Sequence, residues 1–456
     1  MTAESLALVV VRTLRDWPAD APELMERSRA LIRDGLAVAA AGALQEPPRI
    51  AAGLERELGS SPQASAIGQG FRTGLAAAAR INGMAMHVLD FEPMWKPPNH
   101  ALSTVLPALL ALAEYMEGRG RPPQGEQIAK ALAKGVEVQA RLRQASGQFE
   151  PAELTLHPPG VVGPIGAAVA CADLLRLDEV QWINAIGIAA SRAGGLLANV
   201  GTMTKCLHCG DASAHGLESA LLASRGFGAS ADALGGAHGF GHSYFGEAFD
   251  RTALTTDVGD SYLLDPGPAW KLFPSQYATH FAITAALALS QRVDADCVER
   301  VLLTTPFMPY INRPAPTSGL DGKFSYQYCA AVALLDKAVN VSSFTDARHA
   351  DVRLQALLHR TILQQDRTIP GRFDQMHVRM ELQLRNGTTL VEICHKPQGS
   401  WGLPVPAQQL EEKARGLLTS AVGDATAVQL LDLLGRPMQT LSVAACMRML
   451  CAAPPL

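Results

Sequence analysis

The sequence predicts a mainly α protein, with a large all-helical part joined to a smaller α+β part. Three observations carry this reading. The chain is 48% hydrophobic, 18% charged and only 5% aromatic, with alanine and leucine prevailing, a balance that favours helices. Long stretches repeat their apolar residues with helical spacing. Alternating β-branched runs are confined to residues 298–305 and 376–396.

In chain order, residues 3–45 read as two helices divided by 17-WPADAP-22. Residues 46–67 carry Pro, Gly and Ser and read as loop. Residues 74–86 form a small, apolar helix, and Ser103–Glu117 is apolar almost all round and therefore buried. Gln127–Ser146 is amphipathic, with Lys130, Lys134, Glu137 and Arg141 on its polar face. Asp178 and Gln181 form a capping box for the helix over 179–193. Residues 211–225 read as a small-residue helix. Past residue 260 the character changes. VERVLLTT (298–305) is a strand, 326–339 a helix, and 376–396 a hairpin turning at Asn386-Gly387 as a type I′ turn. Helices return over 405–420 and 425–434, so the division is 1–265 with 405–456 against 266–404.

The totals exclude several classes. Net charge is −4 and no Lys/Arg stripe forms, so nucleic acid is not an expected partner. Apolar runs break well short of the ~20 residues a membrane span needs. The N-terminal run lacks a basic leader and a small-residue cleavage site, which makes the cytoplasm the expected compartment. Eight cysteines in 456 residues are no disulfide framework. The pair in 206-CLHC-209 has no second CxxC at finger spacing, and no metal is expected there. The glycines of 226–246 neither follow a strand nor keep dinucleotide spacing.

Ionisable residues gather instead on punctuated loops. The stretch 82-NGMAMHVLDFEPMWKPPNH-100 breaks from helix into a proline-fixed loop with Asp90, Glu92, Lys96 and His100. His157 sits before two prolines in 155-TLHPPGVVGPIG-166. Lys205, His208 and His215 share the polar loop 199–216. A fourth group, Lys271, Tyr310 and Arg313, lies near the α+β part. His87 and His215, among small residues, read as core histidines.

Taken together, 82-NGMAMHVLDF-91, 99-NHALSTVLPALLALAE-114, 157-HPPGVVGPIGAA-168, 201-GTMTK-205, 215-HG-216, 270-WKLFP-274 and 310-YINRP-314 resemble the MmgE/PrpD family. That family includes 2-methylcitrate dehydratase, cis-aconitate decarboxylase and iminodisuccinate epimerase. The resemblance implies an all-helical large domain, a smaller α+β lid over 266–404, a homodimer, and an active site in the cleft between the domains. It also implies a small polycarboxylate substrate and chemistry without metal, iron–sulfur cluster or organic cofactor. Carried over by residue, the pocket is Asp90, His100, His157, Lys205 and Tyr310. Two positions depart from the decarboxylase pattern: Met94 replaces a small hydroxyl residue, and Gln276 replaces a histidine.

The implied chemistry moves a proton on carbon beside a carboxylate. His100 and His157 suit base and acid, because histidine titrates near working pH. Lys205 suits a substrate carboxylate or a developing oxyanion. Asp90 is expected to orient His100 or Lys205, and Tyr310 to donate from the lid. Lys271 and Arg313 suit carboxylate recognition, with His208, Gln276 and Met94 beside them. A dehydratase-type lyase leads these expectations. An epimerase, a decarboxylase and a non-catalytic carboxylate binder are its rivals.

Overall fold

A computed structural model describes residues 4–256 and 261–452; the first three residues, 257–260 and the last four lie outside the described residues. Nineteen α-helical segments and two small sheets are present among the described residues. None of those helices is long and apolar enough to cross a membrane.

Two hydrophobic cores organise the chain. The first joins the helices between Leu6–Asp16 and Thr204–Ala223 to Ala407–Val422, Asp424–Gly435 and Val443–Cys451. At its centre Ala101–Glu117 and Pro158–Leu174 are buried along almost their whole length. The second core forms around a four-stranded sheet. Thr361–Asp366 runs parallel to Val298–Pro306, followed by antiparallel Val378–Leu384 and Thr389–Cys394. Val378, Met380, Leu382 and Leu384 alternate inward and pack with Phe281, Ala285 and Val332 from the helices Thr279–Ser290 and Tyr326–Asp336. Met94 and Val200 belong to this second core although they lie far upstream.

The structure corrects several sequence expectations. Residues 46–58 are helical, not loop, because Pro47 and Pro48 occupy the first turn, where a missing N–H costs nothing. The same device turns the expected loop after His157 into the helix Pro158–Leu174. The expected polar loop 199–216 is helical from Thr204 onward, so Lys205, His208 and His215 ride one helix. Gly83 and Gly210 explain why polar residues are carried inside: a Cβ on Gly83 would stand 2.9 Å from Gly210 Cα. Helices Leu75–His87 and Thr204–Ala223 therefore approach at backbone contact.

The polar face of Gly125–Ala145 is buried in part. Lys134 bonds Asp173 at 2.7 Å, and Arg141 bonds Glu137 at 2.8 Å. The hairpin turn is not type I′. Only Gly387 has positive φ, and Leu384 and Gly387 close a wider loop with a glycine bulge. Strand Thr361–Asp366 and helix Val443–Cys451 have no counterpart in the sequence reading. The Asp178–Gln181 capping box forms as read.

Candidate active site

The helix Leu75–His87 ends in a sharp turn that carries the first residues of the site. Asp90 adopts φ 49°, a left-handed conformation that aspartate tolerates better than most residues. It is buried, and its two carboxylate oxygens face different lysines. Oδ2 accepts from Lys205 Nζ at 2.7 Å, and Oδ1 accepts from Lys271 Nζ. Burial alone would raise the Asp90 pKa, but Lys205, Lys271 and His100 outweigh it and hold the carboxyl well below its ordinary value. Lys205 has a second partner, His87 Nε2 at 2.8 Å. Its ammonium also stands 5.2 Å from the Phe324 ring centre. Two of its three N–H groups are so engaged, and Lys205 lines the cavity described below.

Two further lysines stand behind Asp90. Lys271 is fully buried, and burial lowers its pKa against the pull of Asp90 and Glu92. Lys323 gives a hydrogen bond to the Val88 carbonyl at 3.3 Å, and burial brings its pKa down to about 8. Three lysines thus surround one carboxylate, and the floor of the site carries excess positive charge.

Glu92, two residues past Asp90, is fully buried and serves the histidines. Its Oε1 accepts from His87 Nδ1 and lies 3.2 Å from His100 Nδ1. Burial opposes its ionisation, but the two rings hold it well below the ordinary carboxylate range. Burial and then Lys205 depress His87 to about 4. The His87 and His100 ring centres are 4.6 Å apart, and those of His100 and His157 are 6.4 Å apart.

His157 is set by backbone contacts. Its N–H donates to Gly195 O at 2.9 Å, and Gly194 N–H donates to Gly160 O at 3.0 Å. A Cβ on Gly160 would stand 2.1 Å from Gly194 O, so only glycine lets these segments meet. His157 Nδ1 lies 3.2 Å from His208 Nδ1. Burial, then Lys205 and the neighbouring rings, push the His157 pKa well down, and the ring is neutral at pH 7.

Tyr310 comes from the second core. Its hydroxyl accepts from Gln276 Nε2 at 3.1 Å, which leaves its own hydrogen to donate elsewhere. Burial, with Asp90 adding, pushes the phenol above its ordinary value. Gln276 is fixed in turn, because its side-chain oxygen accepts from Ala278 N–H at 2.7 Å. Met94 is pinned by paired backbone bonds to Ala269 at 3.1 and 2.7 Å.

These groups meet at a cavity of about 70 Å³ lined by Asp90, Met94, His100, His157, Lys205, Gln276 and Tyr310. Pro98 and Phe373 are shared with an adjoining cavity of about 240 Å³ that includes Lys96 and Arg372.

Of the two partners expected for Asp90, the structure gives Lys205; Glu92 is the carboxylate at one His100 ring nitrogen, and Asp90 is 3.8 Å from the other. Three other sequence expectations change. Lys271 does not line the cavity and instead buttresses Asp90 from behind. Arg313 spends its guanidinium on Tyr310 O at 2.9 Å, Val200 O at 2.7 Å and the Asp321 carboxylate. It clamps the Tyr310 segment to the Val200 loop rather than facing the cavity. His208 contacts His157 and does not itself line the cavity.

His87 and Glu92 were legible only as an ordinary core histidine and a loop charge. Their five-residue spacing across the end of a helix was the available signal. Lys323, on the turn after Gly319–Gly322, had none.

The ligand atoms of His87, Glu92 and His100 lie within 4.8 Å of one another, as a metal site would require. However, the Glu92 oxygen already sits against the His87 Nδ1 proton, and the Lys205 ammonium is 2.8 Å from the other His87 nitrogen. A cation there would have to displace both contacts.

Comparison with known proteins gives the family. The MmgE/PrpD N-terminal domain matches residues 6–252, and the MmgE/PrpD C-terminal domain matches residues 273–434. Cis-aconitate decarboxylase of Mus musculus is 32% identical over 408 residues, covering 86% of this chain and 82% of its own. The Homo sapiens enzyme of that name is 32% identical over 401 residues, covering 86% and 83%. The Aspergillus terreus one is 25% identical over 449 residues, covering 92% and 89%.

Proposed function

This chain belongs to the MmgE/PrpD family, and on that premise we propose that it is a lyase acting on a small tricarboxylate by proton transfer beside a carboxylate. One observation carries the reading. Lys205, His100 and His157 line a small cavity with Asp90, whose charge is offset from behind by Lys271, a setting suited to a compact polyanion with an acidic C–H.

Lys205 presents its remaining N–H to a substrate carboxylate or to negative charge developing on it. Asp90, buttressed by Lys271, holds Lys205 in place. His100 and His157 are the proton-transfer groups, each worth ~10²–10⁴ in rate. Tyr310 donates its hydroxyl proton from the opposite wall. In a dehydration, the base takes the C–H proton, the electron pair forms the alkene, and the acid protonates the departing hydroxyl as water. In a decarboxylation, the C–C bond breaks, CO₂ leaves, and the acid delivers a proton to the carbon that keeps the pair. The names of the relatives make the second reaction the first to test. Met94 and Gln276 shape the wall where a changed substrate would be felt.

The same reading has residues 266–404 serving as a lid, a homodimer, a cytoplasmic setting, and chemistry run by side chains without a cofactor. Exposed Ile50, Leu54, Leu58 and Met203 support an apolar face for a second copy. Light scattering tests the dimer, and retained turnover after chelator dialysis tests the cofactor claim.

The decisive experiment is proton NMR in D₂O with cis-aconitate and a panel of di- and tricarboxylates, with CO₂ measured in parallel. Loss of CO₂ or gain of an alkene supports the lyase. Folded protein that turns over no polycarboxylate refutes it. A second reading, epimerisation, draws on His100 and His157, whose ring centres at 6.4 Å let both reach one carbon. Deuterium exchange with neither CO₂ nor alkene selects it.

A further inference from the structure

Glu92 is the buried group to which the proton-transfer scheme gives no part. We propose that it is a positioning residue whose single carboxylate fixes the tautomers of His87 and His100 together. The proposal rests on the reading of His100 as a proton acceptor.

An ionised carboxylate can only accept hydrogen bonds. Glu92 Oε1 lies against His87 Nδ1 and 3.2 Å, at an oblique angle, from His100 Nδ1. The contact with Glu92 puts a hydrogen on His87 Nδ1; His100 Nδ1 is buried without a hydrogen bond of ordinary geometry, and the Glu92 anion 3.2 Å away favours a hydrogen there by charge. An independent contact confirms the first assignment. Lys205 is an ammonium with no acceptor capacity, and it stands 2.8 Å from His87 Nε2. That nitrogen must therefore be the lone pair, and Nδ1 must carry the proton. For His100 the choice rests on distance instead: Glu92 is 3.2 Å from Nδ1, while Asp90 is 3.8 Å from Nε2 and already accepts from two lysines, so the hydrogen goes to Nδ1 and the lone pair to Nε2.

Glu92 thus makes His100 a base rather than an acid. Through His87 it also supplies the second acceptor that aims Lys205. Asp90 and Glu92 divide the turn between them, one carboxylate for the lysines and one for the imidazoles. The second Glu92 oxygen is buried with no hydrogen-bond partner among the described residues, so the two rings are what this carboxylate serves. A partner one shell behind a working imidazole is worth about 10–100-fold by analogy with groups that orient metal-bound histidines.

The test uses the full-length protein with ¹⁵N-labelled histidine at pH 7.5, His100 being assigned by loss of its signals in His100→Gln. In wild type, His100 Nδ1 is protonated and Nε2 is not. Glu92→Met, which removes the acceptor, mixes the tautomers and lowers kcat about 10–100-fold with KM within about twofold. Glu92→Gln keeps one acceptor oxygen and restores part of the turnover; it also serves if Glu92→Met does not fold. Wild-type His100 protonated at Nε2 overturns the proposal. So does an unchanged tautomer in both variants, or stoichiometric metal in wild type that Glu92→Gln releases. The reading of His100 as the proton acceptor fails separately, if His100→Gln keeps full turnover while the tautomer measurement stands.

Discussion

Replacing Asp90 by asparagine isolates one charge. Asparagine accepts the left-handed φ of 49° as readily as aspartate, so the backbone adds no strain. The amide still accepts a hydrogen bond from Lys205 or Lys271. What disappears is the anion between two buried ammonium groups. At the 2.7 Å separation from Lys205 and an effective dielectric of ~20, the lost attraction is about 6 kcal/mol. The protein need not bear all of it, because a lysine can release its proton instead. Neutralising one lysine of ordinary pKa ~10.4 at pH 7 costs about 4.6 kcal/mol, at ~1.36 per unit. That ceiling agrees with the ~3–5 kcal/mol typical of breaking a buried pair.

The sign with pH follows. In the variant the folded state holds a neutral lysine while the unfolded state holds a protonated one. The unfolded state binds more protons, so stability relative to wild type rises with pH. The ceiling falls to about 2 kcal/mol at pH 9. Urea unfolding of both proteins at pH 7 and 9 reads the difference. A penalty below about 1 kcal/mol at pH 7, or one that grows toward pH 9, would refute the account of Asp90 as the anchor of the lysines.

Three further outcomes are expected. His157→Gln should lower kcat about 10²–10⁴-fold on whichever polycarboxylate is turned over, with KM little changed; steady-state kinetics with unaltered kcat would remove His157 from the chemistry. Arg313→Lys should cost about 1–3 kcal/mol in thermal or urea unfolding, because a lysine cannot replace the fork that bonds Tyr310 O, Val200 O and Asp321. KM should move less than about threefold, and a hundredfold rise would restore Arg313 as a carboxylate receptor. Stability should fall as pH drops from 6.5 toward 4. His87 stays neutral in the folded state down to about 4, while the unfolded chain takes up its proton near 6.5, a difference on the order of 3 kcal/mol. A thermal midpoint that is flat across this window would contradict the neutral, buried His87.

The family and most elements were legible in the chain. Ser103–Glu117 declared its burial through an apolar surface all round, and alternation declared Val298–Pro306 and the hairpin. Local chemistry misled where prolines were read as breakers although they open helices, at Pro47 and Pro158. It misled again where small residues hid a helix, at Thr204–Ala223, whose glycines exist for contact with a neighbour.

The stretch 82–100 by itself determined that a histidine, two carboxylates and a lysine would lie on a rigid turn after a helix. Motif matches along the chain determined which distant residues would join Asp90 and His100. Only the tertiary structure decided who pairs with whom. Asp90 anchors lysines, Glu92 takes the imidazoles, Lys271 stands behind the site, and Arg313 binds backbone instead of substrate. The physical reason is that hydrogen bonds between buried charges are chosen by distances of an ångström or less. Those distances are set by how closely two helices pack, here by Gly83 against Gly210, and no spacing along the chain records them.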